Sequence, residues 1–249
     1  MTIQGIMPQA SDIAIHSDID ILAWQELFGA RQRIQIPNFL TASSADTLRD
    51  HLQNEVDWTH VINGEEKVFE IASGDFDALD PSVRKRLNIA LYEKAASAFQ
   101  FQFDNRRVSD IDIQQGVGDD LLHHFGQWIN SPQTLGLFRN VTGRQDIGFA
   151  DVQATRYRSG DFLTGHDDVI PGKDRLFAYV LNLSDNWRTE WGGLLLFHDV
   201  DSRVAETFVP IFNSISLFSV GQPHSVSYVT PFAQEERLSI TGWLRKGVA

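Results

Sequence analysis

From about residue 148 onward the chain is a succession of short apolar runs broken by turn signals: Ser159-Gly160-Asp161, Pro171-Gly172-Lys173-Asp174, Trp191-Gly192-Gly193 and Gly221-Gln222-Pro223. Roughly seven or eight short strands in about a hundred residues predict a β-sandwich or jelly roll. The last of these runs is the most informative. Along residues 237–244, Arg237, Ser239, Thr241 and Trp243 share one face, and Leu238, Ile240 and Leu244 share the other. Before residue 148 helical spacing dominates. A sheet with an apolar face must bury it, so the expected class is α+β. It is a jelly roll with N-terminal helices packed on one outer face, the apolar side of the last strand beneath them and its polar side lining the barrel.

The N-terminal part breaks into pieces. Residues 1–30 read as a loose lead-in, with helical spacing over 20–28 that Gly29 would stop. Arg33–Ile36 alternates like a strand ended by Pro37. Thr41 or Ser43 can cap a helix through Leu48, Leu52 and Val56. Residues 61–69 resemble a hairpin turning at Asn63-Gly64. Pro81 opens a helix carrying Leu87, Leu91 and Phe99. A strand is predicted over 99–103 and helices over 119–130 and 135–142. With no repeat and no Pro/Gly/Ser linker, the expected organisation is one structural unit in two parts: 1–147 as helical support with a hairpin, and 148–249 as the β-rich core.

The 249 residues, 42% hydrophobic and 22% charged, are those of an ordinary globular chain able to bury a core. Cysteine is absent, which excludes disulfides, zinc thiolates and a thiol nucleophile. Any metal must be held by His, Asp or Glu. A net charge of −12 argues against a nucleic-acid backbone as partner. The basic clusters Arg84-Lys85-Arg86 and Arg106-Arg107 read as solvated faces. Residues 1–30 show no signal-peptide pattern and no stretch is long and apolar enough to span a membrane, so the expected location is cytoplasmic, with no membrane partner. Oligomeric state is not legible.

Within the β-rich part, His166-Asp167-Asp168 precedes an apolar run over 176–183. On a strand, residues i and i+2 point to one face, so His166 and Asp168 would converge. A second imidazole from His224 would complete a two-His-one-carboxylate triad, a set that suits ferrous iron and leaves coordination positions open. The other histidines, His16, His51, His60, His123, His124 and His198, have no partner at ligand spacing and are expected to pack or face solvent. Arg237 inside a barrel is costly without an anion. Either a neighbouring Asp or Glu, or a bound dicarboxylate gripped by the guanidinium fork, would meet that need.

The ordered set of His166-X-Asp168, a strand, Gly192-Gly193, His224 and Arg237 resembles the iron(II)- and 2-oxoglutarate-dependent oxygenases, in particular the prolyl-hydroxylase branch. The likeness covers residues 151–244 and, less specifically, 34–58. It implies a double-stranded β-helix, iron ligands at His166, Asp168 and His224, and Arg237 on the distal carboxylate of 2-oxoglutarate. Ile240, Thr241 and Trp243 match the family pattern after that arginine. Tyr157 and Tyr179 match tyrosines that lie near the cosubstrate. Asp168 keeps the carboxylate that related halogenases replace by a small residue, which favours hydroxylation. The implied cofactors are Fe(II), 2-oxoglutarate and O2, with ascorbate as an auxiliary reductant. The implied substrate is a prolyl residue of a protein or peptide, gripped by loop 184–193 or by the 61–69 hairpin. A free amino acid or other small metabolite as substrate, and a non-catalytic cupin-type binding protein, stand as the alternatives.

Overall fold

The computed structural model describes residues 13–64, 66–199, 201 and 203–247. The expected lead-in and the absence of a leader over residues 1–12 concern positions outside these. Its strands are β1 Arg33–Ile36, β2 Thr59–Asn63, β3 Val68–Ala72, β4 Phe101–Arg107, β5 Ile147–Ala150, β6 Gln153–Tyr157, β7 Phe162–His166, β8 Arg175–Asn182, β9 Leu195–His198, β10 Val204–Phe208, β11 Ser214–Ser219, β12 His224–Val226 and β13 Arg237–Lys246. The helices are α1 Ile21–Arg31, α2 Ala42–Asn54, α3 Ser73–Asp77, α4 Pro81–Ala95, α5 Asp110–Gln115, α6 Leu121–Ile129 and α7 Pro132–Thr142.

The strand order is β1-β11-β8-β13-β6-β4-β7-β12-β9-β10, with β5 beside β13 and the β2–β3 hairpin on β4. This is the expected double-stranded β-helix, a nearly closed antiparallel barrel. Strand β4 turns the corner. Its later residues, Asp104 to Arg107, pair with β6, and its first two pair with β7. The 1–147 part therefore supplies more than support, since β1 and β4 are strands of the sheet itself. At the far side, β1 meets β10 through side chains: Arg33 Nε lies 2.6 Å from Glu206 Oε2, and Gln35 Nε2 donates to the Val209 carbonyl.

The helices cover one outer face, as the alternation of β13 predicts. Phe28 of α1, Leu48 and Leu52 of α2, Ile129 of α6 and Phe138 of α7 pack with Leu181, Leu217, Leu238, Ile240 and Leu244 of the sheet. Each such side chain contributes about 1.5–3 kcal/mol on burial. Capping fixes where the helices begin. Asp20 accepts from the Ala23 amide, Thr41 from Ser44, Asp120 from His123 and Ser131 from Thr134, with Pro132 in the first turn of α7.

Some expectations shift. Helix α1 runs past Gly29 to a left-handed Gln32, and Val56 lies beyond α2. The Pro81 helix ends at Ala95. Phe99 leaves it because its ring belongs with Phe101 and Phe103, the alternate positions of β4. The hairpin does not turn at Asn63-Gly64: Asn63 pairs with Val68, and Gly64 N donates to the Lys67 carbonyl. Gly64 is required there for close approach, since a Cβ would stand 2.5 Å from both that carbonyl oxygen and the Phe69 ring.

Candidate active site

Strands β7 and β12 run side by side in a register that sets His224 opposite His166, with ring centroids 4.1 Å apart. Nδ1 of His166 is 3.0 Å from the Thr164 carbonyl, and Nδ1 of His224 is 2.8 Å from the Gln222 carbonyl. A carbonyl only accepts, so each Nδ1 carries the proton and each Nε2 keeps its lone pair. Burial, and then the neighbouring His166, hold His224 down to about 4, so its imidazole is neutral near pH 7.

Asp168 is not on the strand. β7 ends at His166, and Asp168 sits at φ +64. A left-handed residue, not the expected strand alternation, turns its carboxylate back toward the imidazoles. The turn is held by Asp167, whose carbonyl accepts from Gly221 N and whose Oδ1 accepts from Val169 N. The Asp168 oxygens lie 3.5 Å from His166 Nε2 and 3.4 Å from His224 Nε2. The three ligand atoms fall within 4.8 Å of one another. Ligands about 2.1 Å from one ion stand about 3 Å apart when adjacent, so the set fits a single metal ion with small adjustment.

These residues line a cavity of about 440 Å³ that Arg237, Tyr157, Thr241 and Trp243 also line. Arg237 is 2% exposed, its Nε has no hydrogen-bond partner, and among the described residues no carboxylate pairs with it. Its guanidinium lies 5.1 Å from the ring centroid of Tyr157. Burial pushes the guanidinium down from its ordinary value and the Tyr157 phenol up. Of the two partners foreseen for Arg237, the internal carboxylate is not there, and a bound dicarboxylate fits.

Thr241 and Trp243 lie further along β13. Gln153 Nε2 donates to Thr241 Oγ1 at 3.2 Å, and the Arg175 guanidinium sits 3.4 Å from the Trp243 ring centroid. Tyr179 borders the cavity, but its ring packs on Phe138 of the helical layer and its hydroxyl donates to the Asp151 carbonyl at 2.6 Å. That commits its hydroxyl to the main chain. The remaining histidines hold other contacts: His60 Nδ1 lies 2.7 Å from Asp104 and His123 Nδ1 2.6 Å from Asp120.

Two features were not foreseen as parts of the site. The rings of Phe99, Phe101 and Phe103 follow one another at 5.7 and 5.5 Å, and the run continues to Tyr157 at 4.9 Å. The spacing Phe99-X-Phe101-X-Phe103 carried that signal in the sequence. Arg107 is exposed, as expected, and also lines the cavity together with Arg175. Loop 184–193 does not present Trp187 at a mouth. Trp187 donates to the Gly192 carbonyl, meets Trp191 edge to face, and packs against the cluster of Tyr157, Val226 and Val229.

The family model of the 2OG-Fe(II) oxygenase superfamily matches residues 152–245, the stretch that holds the triad and Arg237. Over that stretch the chain is similar to that superfamily. The chain is 27% identical over 184 residues to the mouse prolyl 3-hydroxylase OGFOD1, covering 70% of the chain and 31% of that protein. It is 32% identical over 110 residues to the Drosophila melanogaster prolyl 3-hydroxylase sudestada1, covering 39% of the chain and 20% of that protein. The chain thus spans less than a third of the length of these curated relatives. A Pseudomonas putida prolyl-4-hydroxylase superposes with a TM-score of 0.59 at 18% identity, over 92% of this chain and all of the other. A Trichoplax adhaerens prolyl hydroxylase, solved with a hypoxia-inducible-factor peptide fragment, gives 0.55 at 15% identity, over 93% of this chain and 94% of that one. Both structural likenesses speak to the fold. Among the described residues no helix is long and apolar enough to cross a membrane.

Proposed function

We propose that this oxygenase hydroxylates a prolyl residue of a protein or peptide, using ferrous iron, 2-oxoglutarate and O2 and releasing succinate and carbon dioxide. The observation that carries the reading is the gathering of His166, Asp168 and His224 in one cavity with a buried arginine that, among the described residues, no carboxylate neutralises. The prolyl assignment is supported by the curated relatives. A cytoplasmic location fits an enzyme that needs ferrous iron.

His166, Asp168 and His224 would hold the iron through the two Nε2 atoms and the carboxylate. Arg237 would receive the far carboxylate of 2-oxoglutarate, its charge on the Tyr157 face. Bound there, iron and 2-oxoglutarate supply the oxidising power to place one oxygen atom of O2 on a C–H bond and the other in succinate. The protein's own work is orientation and shielding. The Nδ1–carbonyl bonds fix both rings, and Phe99, Phe101 and Phe103 give the cavity an apolar wall.

The direct test is oxygen-dependent conversion of 2-oxoglutarate to succinate by the iron-loaded protein. It is to be followed by mass spectrometry of proline-containing peptides and of cell-extract proteins for the gain of one oxygen atom. Succinate formation without any such gain on proline would leave the oxygenase and remove the prolyl substrate.

A further inference from the structure

The cavity has two cationic ends. Arg237 pairs with Tyr157 across β13 and β6, whereas Thr241 pairs with Gln153, and Trp243 lies two residues beyond. At about 3.3 Å per strand residue, Trp243 is about 20 Å from Arg237 along β13. Arg175 lies on the Trp243 ring, and Arg107, at the end of β4, pairs across the sheet with Gln153. Arg237 rests on the Tyr157 ring, whereas Arg175 lies on the Trp243 ring and against the Asp168 carbonyl, so the guanidiniums meet different parts of the cavity.

They are also unusual within the chain. Most arginines here are tied to carboxylates, in keeping with 33 acidic against 21 basic residues. Among the described residues, Arg86, Arg107, Arg139, Arg175 and Arg237 have no ion-pair partner. Arg86 and Arg139 lie elsewhere, bonded to Ser82 Oγ and the Ile147 carbonyl. The other three line this one cavity. Besides its place on the Trp243 ring, Arg175 donates one long hydrogen bond, 3.4 Å to the Asp168 carbonyl, and its buried Nε has no hydrogen-bond partner. The nearby carboxylates do not answer the pair: Asp168 belongs to the triad, Asp151 is held by Arg245 at 2.8 Å, and Asp167 caps Val169. Arg107 is exposed and Arg175 half-buried at the same cavity, their like charges repel, and Asp168 and Asp151 offset Arg175 only through space, so an anion that joins both guanidiniums is favourable.

We propose that Arg107 and Arg175 form a second anion-reading site, and that the substrate carries a carboxylate close to the residue it presents to the triad. The substrate class is then an acidic proline-containing segment. This rests on the prolyl-hydroxylase reading above.

The test uses the iron-loaded protein with 2-oxoglutarate and a set of short peptides blocked at both ends. Each has one proline and carries Glu, Gln or Lys at each flanking position in turn. A parallel set with a free C-terminus separates a side-chain carboxylate from a terminal one. Succinate formation and anaerobic peptide binding by fluorescence polarisation are both read. The expected result is at least a tenfold lower KM and Kd for a carboxylate-bearing peptide than for its Gln counterpart. That ratio should fall toward one in Arg107→Gln and in Arg175→Gln, be partly restored by Arg175→Lys, and stay unchanged in Arg86→Gln. Proline peptides turned over equally whatever their charge would overturn the anion site and leave the prolyl reading standing. Arginine-dependent binding of acidic peptides without oxygen gain on proline would keep the anion site and overturn the prolyl reading. Equal binding of Glu and Gln peptides with no turnover would overturn both.

Discussion

Gly193 lies under Arg237 so closely that a Cβ on it would stand 3.1 Å from the arginine Cδ, with the Trp187 ring at 3.2 Å and Val229 at 3.3 Å. Its φ of +63 is a conformation glycine adopts without steric cost. The Trp191-Gly192-Gly193 turn, read in the sequence as a turn signal and as part of the ordered set, therefore packs against the side-chain stem of the buried arginine. Gly193→Ala should raise the 2-oxoglutarate requirement about tenfold and lower stability by about 1–2 kcal/mol, the cost of a side chain in that region. Iron stoichiometry should stay intact. Anaerobic titration of 2-oxoglutarate beside a thermal melt separates the effects. A melting point that drops while cosubstrate affinity holds would show that Gly193 does not set the arginine.

Asp168 separates folding from metal binding. Its left-handed φ of +64 suits glycine better than aspartate. Asp168→Gly should fold at least as stably as the parent protein while losing most of its iron and its hydroxylation. Colorimetric iron counting on the purified variant, set against its melting temperature, checks both halves. Full iron retention would remove the carboxylate from the ligand set.

Tyr179 should behave as a packing residue. Tyr179→Phe deletes the 2.6 Å bond to the Asp151 carbonyl and should cost about 1 kcal/mol in denaturant unfolding. The 2-oxoglutarate KM should not move. A several-fold rise in that KM would restore the cosubstrate role that the family pattern suggested.

Asp104 links stability to acid. It is fully buried and receives His60 Nδ1 at 2.7 Å, Ser73 Oγ at 3.1 Å, and the guanidiniums of Arg156 and Arg158 at 2.7 and 3.1 Å. Burial alone would raise its pKa, but the His60 hydrogen bond and the two arginine charges outweigh that and hold it below 3.8. A carboxyl lowered by folding adds stability above its unfolded value and loses it as pH falls through the folded one. The melting temperature should therefore fall steeply below about pH 4. Asp104→Asn should cost roughly 3 kcal/mol at neutral pH, because buried cations lose their partner, and should flatten the acid limb of the curve. Melts recorded from pH 3 to 7 test this, and an unchanged acid limb would refute it.

What was legible in the sequence was whatever depended on periodicity and on order along the chain. The alternation of β13 placed Arg237, Thr241 and Trp243 inside and Leu238, Ile240 and Leu244 under the helices. The His-X-Asp, His and Arg order gave the triad and the buried cation. Features set by contacts between distant segments were not legible. Asp168 reaches the imidazoles through a turn that Gly221 stabilises from another loop. Tyr179 falls on the helical side by the parity of β8, where Ala178 and Val180 instead pack with the barrel-side residues. Arg107 and Arg175 have no local pattern at all; only the shared cavity sets them apart from their paired counterparts.

The junction of β1 with β10 has a consequence of its own. There the ring of strands is fastened by a clasp of side chains instead of by main-chain bonds, with Arg33 and Arg31 on Glu206. Two strand borders are thereby left with unspent amides and carbonyls, which another chain would otherwise extend. Charge on both borders discourages such addition. The same ions are weakened by salt, so that seam is where added electrolyte should first loosen the barrel.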